Sequence, residues 1–138
     1  MTYIRPEVKR SEWKLSKHEF YTAYHYAMQY RELKDKYKSI LGLSAVNMDG
    51  MPHGSNTTDP TYDQATKLEE LSTRIKLIED TVMETDPDIY CWLLKGVTTE
   101  NISFNYLQMT MEIPCGKKYY YARRRKFYYL LNQKLNKG

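Results

Sequence analysis

Lys117, Lys118, Arg123, Arg124, Arg125 and Lys126 fall within a short segment, KKYYYARRRKFYY, with tyrosines set among them. Residues Ile113 to Gly138 hold eight of the chain's 21 lysines and arginines and none of its 17 acids, which leaves this segment at +8 and the remainder at −4. Cationic side chains on a helix normally find carboxylates four residues away, and without them the like charges repel. Such a segment predicts an external anion, and the phosphate backbone of nucleic acid fits it best. Apolar residues in the segment recur at helical spacing. Tyr120, Phe127, Leu130, Leu131 and Leu135 are expected inward, and Lys117, Tyr121, Arg124 and Tyr128 form a second stripe flanked by Lys118 and Arg125. That second stripe is the expected DNA-contacting face. Lys117, Lys118 and Tyr121, near the helix start, are placed for base edges, and Arg123, Arg124, Arg125 and Lys126 for phosphates.

Other residue constellations point to no chemistry. His18 and His25 share a helix face but have no carboxylate or third ligand beside them, and His53 lies in a turn-rich stretch. Cys91 and Cys115 are far apart and outside any metal-ligand spacing, so neither a disulfide nor a zinc site is expected. MPHGSNTTDP lacks the Gly-Lys-Ser/Thr ending of a phosphate-binding loop, and no motif sets a nucleophile beside a base. The reading is therefore a non-enzyme with no catalytic residues, no metal and no cofactor. Trp92 and Tyr90 are read as core anchors.

The elements that must carry the basic segment are all helical. Ser16-Lys17-His18-Glu19 has the pattern of a capping box, and Tyr26, Tyr30, Leu33, Tyr37 and Ile40 continue from it, predicting a helix over about 17–41 stopped by Gly42. Residues 42–59 are rich in turn formers and predict a long loop. Asp59-Pro60 starts a second helix over about 60–84 with Ala65, Leu68, Leu71, Ile75, Ile78 and Val82 inward. The two stripes would pair as an antiparallel hairpin or join a dimeric bundle. Asp86-Pro87 opens a short helix closed by Gly96, and Thr98-Thr99-Glu100 caps another through about Gln108. Met109 to Pro114 is expected to be a turn, with the basic helix running from Pro114 to about Leu135.

This is an all-α chain: a helical hairpin in an N-terminal part, 1–84, followed by a helix-turn-helix in 85–138. A short helix, a turn and a basic helix is the plan that places its second helix in the major groove. A DPT-initiated helix after a Gly/Thr-rich loop, the Asp-Pro helix, and the ending Ile113-Pro114-Cys115 with Lys117, Lys118, Tyr120, Tyr121, Arg123, Arg124, Arg125 and Phe127 resemble the phage-encoded late-gene transcriptional regulators of the RinA and ArpU type. The resemblance spans about Met51 to Leu135. It implies a C-terminal helix-turn-helix similar to the fourth region of bacterial sigma factors and activation of phage or prophage late genes. Double-stranded DNA is then the expected partner, RNA polymerase a further one, and a homodimer the expected state, since two-fold symmetry doubles the contacts. The alternatives are a small terminase-like packaging protein, which would form a ring, and an interaction or inhibitor protein whose basic tail binds an acidic protein surface. No apolar run reaches the roughly 20 residues that span a bilayer, and MTYIRPEVKRSEW lacks a signal-peptide core, so a cytoplasmic protein without membrane contact is expected.

Overall fold

In the computed structural model, residues 13–47 and 62–137 are described; side chains are described from 13 to 42 and from 62 to 137. Among these residues the chain is helical and contains no strand: α1 Lys17–Met28, α2 Tyr30–Asn47, α3 Tyr62–Thr85, a 3-10 turn Pro87–Ile89, α4 Tyr90–Thr98, α5 Phe104–Met111 and α6 Lys117–Lys137. The all-α expectation therefore holds. Asp59-Pro60 and most of the stretch read as a loop lie outside the described residues.

The Ser16 hydroxyl accepts from the Glu19 amide at 3.2 Å and Glu19 Oε1 accepts from the Ser16 amide at 2.9 Å, which closes the capping box at the start of α1. The single helix expected over 17–41 is broken at Gln29, whose amide reaches back to the Tyr26 carbonyl in a tightened last turn. No glycine or proline marks that break. Gly42, read as a stop, lies inside α2, with open space where its side chain would be. A glycine ends a helix only when the chain turns left-handed there, and here it does not.

Two compact units divide the chain: Met1–Gln29 with Leu77–Gly138, and Tyr30–Lys76. The division differs from the expected boundary near residue 84, because the residues of α1 belong with the C-terminal helices. Phe20, Ala23 and Ala27 form the buried face of α1, and the Phe20 ring meets Tyr128 of α6 edge-on at 5.0 Å. Asn132 of α6 also donates to the Glu19 carbonyl, tying the start of α1 to the basic helix. In the second unit α2 and the first part of α3 bury Tyr30, Leu33, Leu71 and Ile75. Ile78 and Val82, in the first unit, continue the α3 stripe and are fully buried, whereas Ala65 at its beginning is exposed.

Asp86-Pro87 starts a 3-10 turn that leads into α4, with the Asp86 carboxylate accepting from the Asp88 amide at 3.0 Å. α4 runs through Gly96 to Thr98. The next cap is Ser103, whose hydroxyl accepts from the Tyr106 amide, so α5 starts later than the Thr-Thr-Glu pattern implied and extends to Met111. Glu112 takes the left-handed conformation at φ 53°, and the Ile113 amide returns to the Leu107 carbonyl at 3.2 Å. Pro114 falls in the turn, and α6 begins at Lys117.

Candidate nucleic-acid interface

α6 packs against α1 and α4, and its buried stripe is Tyr120, Arg124, Phe127, Tyr128, Leu131 and Asn132. Tyr120, Phe127 and Leu131 are inward as their spacing predicted, and Leu130 and Leu135 are half-buried. Arg124 and Tyr128 are corrections. Expected on the DNA-contacting face, they are only 8% and 2% exposed. They follow Tyr120 by four and eight residues and so lie on the same side of the helix as Phe127 and Leu131. Aromatic neighbours make that position tolerable for a cation: the Arg124 guanidinium lies 5.2 Å from the Tyr121 ring and 5.8 Å from the Tyr128 ring. Burial pushes the Tyr128 phenol up to about 12, against the opposing pull of Arg124.

The remaining basic residues separate into held and outward groups. Arg123 Nε stands 3.2 Å from the buried Asp86 carboxylate and its guanidinium 4.7 Å from the Tyr119 ring, and Tyr119 donates a hydrogen bond to the same Asp86. The Tyr119 hydroxyl, followed by the Tyr119 and Asp86 charges, raises the Arg123 pKa. Although the Arg123 Nε is close to Asp86, its N–H is not aligned for a hydrogen bond, so the pair is an ion pair. Lys134 bonds Glu84 at 2.9 Å and the Thr81 hydroxyl at 3.0 Å. Lys126 sits 5.4 Å above the Trp13 ring, which itself meets Tyr129 at 5.3 Å. The acids missing from the basic segment are therefore supplied in part by other elements, Asp86 after α3 and Glu84 within it. A search for partners four residues along one helix could not find them.

Tyr121 is also committed, because its hydroxyl accepts from the Phe104 amide at the start of α5, at 3.2 Å. Lys117 and Lys118 stay exposed in the first turn of α6. Beyond them, Lys118, Ala122, Arg125 and Tyr129 succeed one another at spacings of four, three and four along the flank of the buried stripe, Lys118 exposed and the other three half-buried. Arg125 is half-buried; desolvation, then its neighbour Arg124, lowers its pKa, yet a guanidinium stays cationic near neutrality. The basic residues of α6 that meet no acid and keep some exposure are thus Lys117 and Lys118, both exposed, with half-buried Arg125 and Lys126, and the helix N-terminus adds its own partial positive charge beside the first two. α5, which precedes the basic helix, carries no charged residue and shows Met109 and Tyr106 to solvent.

Several features escaped the sequence reading. Asp86 was legible as a cap but not as the anchor of Tyr119 and Arg123. Gly96 was legible as a helix breaker, whereas it is the point where α4 admits the Tyr120 hydroxyl. Trp13, to which the sequence pattern assigned no partner, lies against Lys126 and Tyr129. Cys91 and Cys115 are both free thiols; burial and then the Asp86 charge push the Cys115 thiol up, which makes it a poor nucleophile. No group of His, Cys, Asp and Glu among the described residues could hold a metal, and no described helix is long and apolar enough to cross a membrane. No protein-family model matches this chain, and neither the curated proteins nor the solved structures include one similar to it.

Proposed function

We propose that the chain is a sequence-specific DNA-binding regulator that presents the outward side of α6 to duplex DNA. The observation that carries this reading is the acid-free outer stripe: Lys118 and Arg125 at helical spacing, Lys117 and Lys126 beside them, and the small Ala122 between, which permits close approach of the helix to a groove wall. The phage late-gene role, with contact to RNA polymerase and a dimer on a two-fold site, rests on the tail pattern from Ile113 to Phe127 and is part of the proposal. The reading assigns DNA contact to Lys117, Lys118, Arg125 and Lys126, and gives Arg123, Arg124, Tyr121 and Tyr128 the task of holding the helix. An anisotropy titration with the gene's own upstream duplex, against unrelated duplex at two salt concentrations, tests it. Specific binding that weakens steeply with salt is expected, and Lys118→Ala should lower the salt slope by about one. Binding abolished by any competitor duplex would sink sequence-specific regulation.

A second reading has one observation in its favour. A bracing helix that crosses a DNA backbone gains from basic residues, and α5 has none, while Met109 is 75% exposed. A face of that kind suits an apolar protein partner beside the basic stripe. Retention of a protein partner in the presence of excess DNA would favour it over the first reading.

A further inference from the structure

Buried charges are ordinarily paired, because an uncompensated ion in a low-dielectric interior is costly. Arg124 departs from that rule. Among the described residues the salt bridges of the basic helix go to Arg123 and Lys134, and Arg124 is enclosed instead by Tyr120, Tyr121, Tyr128 and, on α1, Tyr24. It lines a partly open cavity of about 10 Å³ with Tyr24, Thr99 and Tyr128, whose apolar wall is Met28 and Ile102. A second observation marks the same place. The Tyr120 hydroxyl is buried against Gly96, itself part of the cavity wall, and although it lies near Arg124 no partner reaches it with hydrogen-bonding geometry.

We propose that this cavity is an oxyanion subsite, in which Arg124 and the hydroxyls of Thr99 and Tyr24 take one oxygen of a phosphate or carboxylate group. The enclosed space is that of about one water-sized group, so a single oxygen enters and the rest of the anion stays at the open mouth. A guanidinium that no carboxylate among the described residues answers supplies the attraction, and hydroxyl donors fix the direction. The nearest acid whose charge registers at this wall is Glu100, which is exposed and acts on Tyr24. The site lies on the inner side of α6, away from the exposed Lys117 and Lys118, and is separate from the DNA-contacting stripe proposed above.

The test is thermal unfolding of the full chain in increasing inorganic phosphate, compared with chloride at matched ionic strength. A saturable rise of several degrees specific to phosphate is expected, since a ligand bound only by the folded state stabilises it. Thr99→Val leaves the packing of the wall and removes a donor, so it should abolish the rise while keeping the native circular dichroism. Lys118→Ala should leave the rise unchanged. Equal midpoints in phosphate and chloride, protection that survives Thr99→Val, or protection lost with Lys118→Ala would each overturn the subsite, the last because the anion would then sit on the outer stripe. Should Glu100 itself fill the role, Glu100→Gln would destabilise the protein and phosphate would fail to protect the parent chain, which also overturns it. Duplex DNA added to the Lys118→Ala variant should leave the phosphate effect in place, because the cavity lies between α1, α4 and the inner side of α6. Loss of the effect on adding duplex would place the anion on the outer surface and overturn the subsite. Failure of DNA binding with the phosphate effect intact would sink the regulator reading alone.

Discussion

A methyl group added at Gly96 would overlap the Tyr120 hydroxyl and come within 3.1 Å of the ring carbon that bears it. Alanine is about 1 kcal/mol better than glycine within a helix, but overpacking a core contact costs about 1–3 kcal/mol, and here the obstruction is a fully buried ring that cannot swing aside. Gly96→Ala should therefore lower stability by up to about 2 kcal/mol in urea unfolding. Tyr120→Phe removes a buried hydroxyl that has no partner and should cost little or stabilise. Together they should be less damaging than the sum, with a coupling of at least about 1 kcal/mol; additivity would mean that the two residues do not meet. Tyr128 makes a different claim. Its folded-state pKa is raised from 10.0 to about 12, so the folded protein keeps a proton that the unfolded chain releases. The resulting stability is fully present below pH 10 and lost as pH rises through 12, at about 1.4 kcal/mol per pH unit for one proton. Tyr128→Phe should flatten the pH dependence of unfolding in that window, and an unchanged slope would show that the phenol is not buried in solution.

At the scale of elements, the junction of α3, α4 and α6 depends on Asp86. Its carboxylate caps the Pro87–Ile89 turn, receives the Tyr119 hydroxyl and pairs with Arg123, all while only 5% exposed. Asp86→Ala should cost about 2–4 kcal/mol, the sum of a lost cap, a lost charge-assisted hydrogen bond from Tyr119 and a partly exposed ion pair with Arg123. Lys134→Ala breaks the more exposed contact to Glu84 and should cost less than about 1 kcal/mol. Chemical denaturation of both variants decides the ranking, and equal losses would contradict the part assigned to Asp86. The cap itself was legible because Asp-Pro is a local signal, as was Ser16 with Glu19. The buried positions of α3 from Leu71 to Val82 were legible from their period. The break at Gln29 was not, since no glycine or proline marks it, and Gly42 and Gly96 misled because a glycine's role depends on what approaches it. The faces of α6 were only half legible: tyrosine and arginine suit either side of a helix, and although Tyr128 is four residues from Arg124, Asp86, which holds Arg123, and α1, which packs over Arg124, are far away in sequence.

For the whole molecule the charge pattern has a measurable consequence. The basic segment reads as +8 in sequence, but Arg123 answers Asp86, Lys134 answers Glu84, and Arg124 is enclosed by tyrosines. What meets no acid near the start and middle of α6 is Lys117 and Lys118, exposed, and Arg125 and Lys126, half-buried. Each phosphate neutralised by such a residue contributes about −0.9 to the slope of log affinity against log salt. If the proposed DNA contact is made by this stripe, one copy of the chain should give a slope of about −3 to −4, and the full segment laid on phosphate would give about −7. Lys118→Ala and Arg125→Ala should each remove about one from that slope. Arg124→Ala should instead act through stability, lowering the unfolding midpoint and leaving the slope of the surviving folded fraction unchanged. A slope near −7 per copy, or a drop of about one with Arg124→Ala at unchanged stability, would mean that the buried arginines turn outward on binding and that α6 opens from α1 to reach the DNA.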